Sequence, residues 1–385
     1  MFKQLTYKSL HLSFQPCLKR FYASGNKLKV LFFGTDDFAS THLNALLEEQ
    51  KKSDTNIASI DLVCPPDRRT GRKLAHITPS DTKLLAEAHN IPIFHTPPDA
   101  KTLDDWHVPS EEKYDLGVVV SFGYFIPPHI IASLKHGAVN VHPSLLPKYR
   151  GAAPIQHALL YGDRETGVTV QELDDREFDA GRILAQETKP LTKAMRYSEL
   201  KTELSQVGSR LLVDTVSHIM ERKKNAISQD VSLATKAQKI KKELSELDFY
   251  NTRAWQAEQL SRAIGEQYPL RTMYSYERKR AKATIGVQLL NVYLPSHTNF
   301  PSLDREPGSF VYHQATSSLL ISLADETVLC CTHLKIENKG VISASDFTNG
   351  YNLQHSKKGR FDVSIDPKVS KMIEKKLSLM KRFKR

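Results

Sequence analysis

Strand and helix patterns that alternate over the first half of the chain, and short strand patterns near its end, predict an α/β protein of two domains. Between about residues 28 and 141, apolar strand-like runs are separated by segments with helical spacing. This alternation predicts an open, Rossmann-like parallel sheet whose strands are joined by crossover helices. From about residue 267, short strand-like segments separated by turn residues predict a small, OB-like β-barrel.

The first strand is predicted at Leu28–Phe33, an apolar run typical of a strand that is buried on both faces. It ends at Gly34, and a helix pattern begins at Asp36 and Asp37. Because this turn holds a single glycine, NAD binding is not supported. The elements that follow are predicted in order: strand Ile57–Cys64, helix Ser80–His89, strand Ile91–Phe94, a surface helix and loop at Pro97–Lys113, strand Asp115–Ser121, helix Pro127–Leu134 and strand Gly137–Val141.

The stretch Gly137–Gln156 places two polar side chains at the end of a strand. Asn140 and His142 are two residues apart, so a strand puts both side chains on one face. Pro143 and Pro147 then end the strand and stiffen the turn. Ligands of open parallel sheets bind beyond the carboxyl ends of the strands, so a small-molecule site is predicted here.

After this stretch, a strand at Gly167–Leu173 leads into the acidic loop of residues 174–181, and an extended run follows at Ile183–Glu187. A long amphipathic helix at Met195–Arg222 is predicted to close the first domain. Asp179 on the acidic loop is, taken alone, a typical turn residue. It becomes a candidate for chemistry only if the fold brings it to His142.

The predicted domain boundaries follow from these patterns and from the charge distribution. A lysine-rich linker and a helical pattern around Trp255 separate the two domains. The predicted units are a leader at 1–25, a first domain at 28–222, the linker and connecting helix at 223–266, the barrel at 267–365 and a basic tail at 366–385. Strands of the barrel are predicted at Thr284–Tyr293, Gly308–Tyr312, Leu319–Ser322 and Thr327–Leu334.

The 385 residues carry a net charge of +11, which favours a polyanionic partner such as nucleic acid, anionic lipid or a nucleotide-bearing substrate. Part of the excess is local, since six basic residues precede the first acidic residue, Asp36. No apolar run approaches the roughly 20 residues of a membrane-spanning helix, so a transmembrane protein is excluded and no membrane insertion is expected.

Residues 1–25 are basic, hydroxyl-rich and free of acidic residues, without a compact apolar core. This composition predicts a mitochondrial transit peptide, with cleavage after Tyr22, and a location in the mitochondrial matrix. The alternative is a disordered basic tail. The four cysteines, Cys17, Cys64, Cys330 and Cys331, lack the spacing of a zinc site or disulfide framework, so free thiols and no metal are expected.

A second basic segment follows the strand at Ile57–Cys64. The loop of residues 65–73 carries four cations, Arg68, Arg69, Arg72 and Lys73. Long cationic side chains on such a loop suit contacts to a phosphate backbone, while the alternative is a solvated surface loop. The tail from Lys368 has eight cations and one acidic residue and leaves the same two possibilities open.

An asparagine and a histidine on one face of a strand, with an aspartate from a neighbouring loop, suit acyl-group transfer without a covalent enzyme intermediate. The amide and a protonated imidazole can donate hydrogen bonds to an oxyanion that develops on a carbonyl. The aspartate can orient the imidazole and support proton transfer. No serine or cysteine elbow accompanies them, so a nucleophilic triad is disfavoured.

Four motifs together resemble the folate-dependent formyltransferases: Asn140-Val141-His142, the loop Ser144-Leu145-Leu146-Pro147, the run from Arg150 to Gln156 (RGAAPIQ) and Asp179-Ala180-Gly181. The resemblance is strong over residues 29–187 and weak beyond residue 267. The RGAAPIQ run resembles the members of the family that act on methionyl initiator tRNA.

The resemblance implies transfer of a formyl group from 10-formyltetrahydrofolate to the α-amino group of methionyl initiator tRNA. The protein is expected to be a monomer. It assigns Asn140 and His142 to polarising the formyl carbonyl, and Asp179 to pairing with His142. It assigns Ser144, Leu145, Leu146 and Pro147 to the folate pocket, and the basic loop and the barrel to tRNA. Asp174 and Asp175 remain as alternatives to Asp179, because one extra residue precedes it.

Two other functions stay open. The first is a formyltransferase of the same fold that acts on glycinamide ribonucleotide or an amino sugar. The second is a non-catalytic mitochondrial RNA-binding protein that kept the fold. The basic segments argue for a large polyanionic acceptor, and the combination of Asn140, His142 and Asp179 argues for catalysis.

Overall fold

The computed structural model of the chain describes residues 27–70, 75–98, 100–108, 113–278, 281–297, 300, 302–351, 353 and 358–380. The sequence-based expectations for the leader at 1–25, for Arg72 and Lys73, and for the end of the tail at 381–385 lie outside these residues. Within the described ranges, no helix is long and apolar enough to cross a bilayer.

The first half of the chain forms a seven-stranded sheet with helices packed against it. Its strands and the strands of a nearby hairpin are β1 Leu28–Gly34, β2 Ile57–Cys64, β3 Arg68–Thr70, β4 His76–Thr78, β5 Ile93–His95, β6 Leu116–Val120, β7 Ala138–His142, β8 Glu165–Glu172 and β9 Ile183–Pro190. Its helices are α1 Asp37–Gln50, α2 Asp81–Ala88, α3 Pro128–Ser133, α4 Pro154–Tyr161, α5 Tyr197–Ser217 and α6 Ile219–Lys224.

The strand order of this sheet is β5-β2-β1-β6-β7-β8-β9. The strands from β5 to β7 are parallel, as the alternation of strand and helix patterns predicted, whereas β8 and β9 pair antiparallel. β1 and β6 are almost wholly buried because both faces of the sheet are covered. β7, which carries Asn140 and His142, therefore lies at the change from parallel to antiparallel pairing.

Three local expectations were wrong. Among residues 97, 98, 100–108 and 113 there is no helix, and this segment forms turns after Pro97 and Pro98. The predicted helix at Met195–Arg222 is two helices, because the backbone of His218 leaves the helical region at φ −121°. The basic segment is not simply a loop, since β3 and β4 pair as a short antiparallel hairpin.

The second half of the chain adds α7 Ala254–Ile264 and a β-rich unit. Its elements are β10 Leu270–Arg278, β11 Ala281–Tyr293, β12 Ser309–His313, β13 Ser318–Ser322, β14 Val328–Ile336, β15 Val341–Ser343, α8 Ala344–Gly350, β16 Lys358–Arg360 and α9 Pro367–Leu377. The antiparallel order is β10-β11-β14-β13-β12-β16, with β15 paired to β14. The N–H of Asp362 donates to the carbonyl of Met273 at 2.9 Å, just beyond β16. This contact nearly closes the sheet, which confirms the predicted barrel.

Residues 223–245, predicted to be a linker, pack closely against the first domain. The N–H of Arg150 donates to the carbonyl of Thr235 at 2.8 Å, and the N–H of Ala237 donates to the carbonyl of Arg150 at 2.7 Å. Ala237 and Leu244 are buried. This segment is therefore part of the wall behind β7 and not a spacer, because its main chain pairs with Arg150 and part of its apolar side chains are buried.

The start of the basic tail packs one face of a helix against the protein, while Lys368, Lys371 and Lys375 are exposed. In α9, Ile373 and Leu377 are buried. The Ser370 hydroxyl donates to Asp248 at 2.6 Å, and Lys376 Nζ donates to the Tyr161 hydroxyl at 3.3 Å. Tyr161 is the last residue of α4. Through this contact, α9 connects the C-terminal part of the chain to the first domain.

Candidate active site

The site is built on the carboxyl end of β7, where Asn140 and His142 share one face. In the register between β7 and β8, Asn140 pairs with Gln171 and His142 pairs with Thr169. Paired residues of neighbouring strands point to the same face of a sheet. The antiparallel β8 therefore adds Gln171, which is fully buried, beside Asn140.

His142 has an oxygen atom facing each of its two ring nitrogens. Its Nε2 is 2.9 Å from the carbonyl oxygen of Tyr149, which can only accept, so this nitrogen carries a proton and donates it. Its Nδ1 lies 3.4 Å from Oδ1 of Asp179. Since Nε2 is occupied by the main chain, Nδ1 is the ring nitrogen that can exchange a proton or donate to a ligand.

Asp179 receives hydrogen bonds on both carboxylate oxygens. Its Oδ2 accepts from the N–H of Gly151 at 2.8 Å. Its Oδ1 accepts from Asn140 Nδ2 and from Gln171 Nε2, each at 3.3 Å. The backbone of Asp179 is left-handed, with φ +58°, a conformation that aspartate adopts more readily than most residues. The acidic loop thus turns its carboxylate inward to Asn140 and His142.

The two alternative acidic residues do not contact His142. Asp174 accepts hydrogen bonds from the N–H groups of Arg176 and Glu177, both at 2.9 Å, and so caps its own turn. Asp175 lies 3.7 Å from Nε of the exposed Arg176. Of the three carboxylates, Asp179 is the one that converges with the strand residues.

Gly151 supplies its N–H to Asp179 from a position that only glycine suits. Its φ is +117°, and a Cβ atom there would lie 2.8 Å from the carbonyl oxygen of Ala237. Larger residues would be strained at this φ and would push residues 223–245 away from the loop. The glycine of the RGAAPIQ run therefore permits close packing behind the site.

A cavity of about 880 Å³ opens beside these residues at the ends of β6 and β7. Asn140, His142 and Asp179 line it. Its apolar and aromatic lining includes Phe122, Tyr124, Phe125, Ile126, Leu173 and Phe178. The rings of Phe125 and Phe178 are in edge contact, with centroids 5.0 Å apart. A cavity of this size with aromatic walls and a few convergent polar groups suits a planar heterocyclic ligand.

The turn Ser144–Pro147, which the resemblance assigns to a folate pocket, is not among the residues that line this cavity. The Ser144 hydroxyl donates to the carbonyl of Lys148 at 2.6 Å, and the N–H of Leu146 donates to the Thr169 hydroxyl at 3.1 Å. Ser144 and Leu146 are buried. The turn is thus held by internal hydrogen bonds and by packing against β8. It supports His142 from the side that faces away from the cavity.

The described part of the basic hairpin reaches the same cavity. Arg68 lines it, together with Lys101 and Lys239, whereas Arg69 is exposed on β3. Arg72 and Lys73 fall outside the described residues. Three cations from separate segments therefore line the cavity, together with the acidic residues Asp174 and Glu177.

A further carboxylate, Asp36, lines the cavity at the start of α1. Burial raises the pKa of its carboxyl group, while a hydrogen bond from the N–H of Ala39 and the charge of Lys201 oppose this effect. Its Oδ1 accepts from Ala39 at 3.0 Å, so it caps the helix. This contact gives Asp36 a structural role, independent of any ligand.

The sequence analysis did not identify Gln171, Gln229 or the aromatic segment Phe122–Ile126. Gln171 could have been found from the alternation of β8, which puts it on the face of Thr169. The aromatic segment directly follows β6, and its position at the carboxyl end of a strand was a usable signal. Gln229 has no such signal, because it lies in an irregular polar segment.

Comparisons with known proteins agree on one family. The sequence profile of "Formyl transferase" matches residues 27–216, and that of "Formyl transferase, C-terminal domain" matches residues 239–352. The human protein named "Methionyl-tRNA formyltransferase, mitochondrial" is 31% identical over 328 residues, which are 84% of this chain and 77% of the human protein. The rat protein of the same name is 31% identical over 326 residues, 84% of this chain and 78% of its own.

Solved structures share the fold at lower identity. An N-formyltransferase from Helicobacter canadensis, in complex with folinic acid and dTDP-3-aminofucose, has a TM-score of 0.53 and 18% identity, covering 79% of this chain and 98% of its own. HypX from Aquifex aeolicus in complex with tetrahydrofolic acid has a TM-score of 0.53 and 16% identity, covering 85% of this chain and 48% of its own. Both support the two-part fold described above.

Proposed function

The chain belongs to the formyl transferase family, and we propose that it formylates the α-amino group of methionyl initiator tRNA in the mitochondrial matrix. The formyl donor is 10-formyltetrahydrofolate, the co-substrate of this family. The observation that carries the proposal is the convergence of Asn140, His142 and Asp179 at the 880 Å³ cavity. The names of the relatives supply the acceptor and the compartment.

In the proposed mechanism, Asn140 and His142 stabilise the oxyanion that forms when the amine attacks the formyl carbon. Asn140 Nδ2 and a protonated His142 Nδ1 are the donors, since Nε2 already donates to Tyr149. Each such donor typically contributes about 10²–10³-fold in rate when it is held in place before reaction. Both side chains are fixed by the strand and its neighbours.

Asp179 assists the proton transfers. The attacking amine must lose a proton, and N10 of the folate must gain one when its bond to the formyl carbon breaks. A carboxylate whose oxygens are held by Gly151, Asn140 and Gln171 is positioned to accept the first proton, directly or through water. No covalent bond to the protein is needed.

The aromatic wall of the cavity gives the proposed place of the folate ring system, in agreement with its size and planar shape. The cations Arg68, Lys101 and Lys239 in its lining favour an acceptor with many phosphates. These contacts favour tRNA over glycinamide ribonucleotide or an amino sugar. A purely RNA-binding protein would have no use for the convergent carboxylate and imidazole.

The proposed role of each domain follows the domain boundaries that the sequence predicts. Residues 28–222 form the catalytic domain, 223–266 connect it, and 267–365 bind tRNA together with the basic hairpin. The protein acts as a monomer, and residues 1–25 direct it to mitochondria.

The test offers the purified chain 10-formyltetrahydrofolate with one of three acceptors. These are methionyl initiator tRNA, methionyl elongator tRNA and glycinamide ribonucleotide. We expect rapid formylation of the initiator tRNA and weak or no reaction with the others. Formylation of glycinamide ribonucleotide alone would contradict the proposed acceptor but keep the formyl transfer.

A further inference from the structure

We propose that Gln229 is a positioning residue, which holds Asp179 in its working conformation from the segment between the two domains. The inference rests on the proposed function. Gln229 lies outside both profile matches, which cover residues 27–216 and 239–352. Its side chain nevertheless reaches four groups around the catalytic carboxylate.

The orientation of the Gln229 amide is fixed by its neighbours. Its Oε1 accepts from Nε and Nη2 of Arg150, at 3.0 and 2.7 Å. Its Nε2 faces Gln171 Oε1 at 3.0 Å and the main-chain carbonyls of Asp179 and Gly181 at 2.9 and 2.8 Å. A guanidinium cannot accept and a carbonyl cannot donate, so the reverse orientation of the amide is excluded.

Gln229 acts on Asp179 in two ways. Its hydrogen bond to the carbonyl of Asp179 holds the left-handed backbone at φ +58°. Its hydrogen bond to Gln171 Oε1 turns the NH₂ group of Gln171 toward Asp179, where Nε2 donates to Oδ1 at 3.3 Å. Without Gln229, both the loop and the Gln171 amide could rotate, and the carboxylate would lose its fixed place.

Arg150 in turn holds Gln229. Its side chain is buried, and its main chain pairs with residues 235–237 of the same connecting segment. The arginine of the RGAAPIQ run therefore does not face the cavity. It anchors the connecting segment, and through Gln229 it supports the acidic loop.

The test uses Gln229→Glu, which has almost the same shape. The glutamate still accepts from Arg150, but it replaces a donor with an acceptor facing three oxygens. We expect kcat for formyl transfer to fall about 10- to 100-fold, because misplaced catalytic groups cost rate. KM for 10-formyltetrahydrofolate should change less than threefold. Gln229→Met, which removes both the oxygen and the nitrogen of the amide, should give a similar loss.

The more specific test measures the effect of Gln229→Glu on kcat in a chain that also carries Asp179→Asn. If Gln229 works through Asp179, Gln229→Glu should lower the residual kcat less than threefold there. The control is Gln259→Ala, which removes a buried amide that donates to the carbonyl of Leu160 at 2.9 Å, away from the site. It should lower the melting temperature and leave kcat within twofold.

Two results would overturn the inference. One is a kcat of Gln229→Glu within twofold of the unaltered chain. The other is an equal fold-loss in the Asp179→Asn background, which would mean that Gln229 acts independently of that carboxylate. Failure of the unaltered chain to formylate methionyl-tRNA would instead refute the proposed function. In that case the same variants are compared with the acceptor that the chain does formylate.

Discussion

The Nδ1 atom of His142 lies 3.4 Å from Oδ1 of Asp179. The two residues come from different elements, since His142 ends β7 and Asp179 lies on the loop between β8 and β9. The carboxylate is fixed from the other side by the N–H of Gly151 at 2.8 Å. In the proposed mechanism, the acidic loop is therefore needed as well as the strand, because it supplies the carboxylate.

Asp179→Asn should lower kcat for formyl transfer about 10²–10³-fold, because it removes the group that accepts a proton. Asparagine tolerates the left-handed backbone, so the fold should be retained. The measurement is kcat at saturating donor and acceptor, with the melting temperature as a check on folding. A variant that folds normally and keeps more than a tenth of the activity would exclude Asp179 from proton transfer.

Arg68→Ala should raise KM for methionyl initiator tRNA several-fold and leave KM for 10-formyltetrahydrofolate unchanged. Because a phosphate contact releases counterions, the salt dependence of log KM for tRNA should lose about one unit of slope. We expect the same pattern for Arg72→Ala on the same segment. Arg210→Ala, an exposed cation on α5, is the matched control and should have no effect. Equal salt slopes for Arg68→Ala and Arg210→Ala would remove Arg68 from the tRNA contact.

The buried His42 should make the protein less stable as the pH falls. Burial lowers the pKa of His42 to about 4, against about 6.5 in an unfolded chain. The unfolded state therefore binds a proton first, and stability present above about pH 6.5 is lost toward pH 4. Between pH 7.5 and 5.0 this loss is about 2 kcal/mol for His42.

Urea unfolding at these two pH values, for the unaltered chain and for His42→Leu, measures this contribution. Between pH 7.5 and 5.0, His42→Leu should lose about 2 kcal/mol less stability than the unaltered chain, whatever its absolute stability. Burial also lowers the pKa of the buried His157 to about 4. The part of the pH-dependent loss of stability that His157 causes should therefore remain in the variant. An unchanged pH dependence in His42→Leu would mean that this ring is protonated equally in both states.

The parallel half of the first sheet could be predicted because long apolar runs alternate with helical spacing. The same reasoning placed Asn140 and His142 on one face of β7. Predictions failed where local pattern carries little information. The strands of the hairpin β3 and β4 have three residues each, and their described side chains are exposed. The described residues between 97 and 113 include apolar side chains but form no helix.

The environment of Asp179 could not be predicted from the sequence, for a physical reason. Its partners Gly151, Gln171 and Gln229 come from three segments that meet only in the folded chain. Residues 223–245 are polar and lysine-rich, which is typical of a linker. Their packing depends on the shape of the loop around Gly151. That shape gives no periodic pattern in the sequence.

The most direct measurement is the single-turnover rate of formyl transfer to methionyl initiator tRNA by Asn140→Ala and by His142→Ala, with both substrates bound. The loss of an oxyanion donor should slow each variant at least 10²-fold. Binding of tRNA should remain within a few-fold, because contacts of cationic side chains with phosphates, and not these two side chains, supply most of the affinity for a nucleic acid. A rate within tenfold of the unaltered chain in either variant would contradict the role of that residue in formyl transfer.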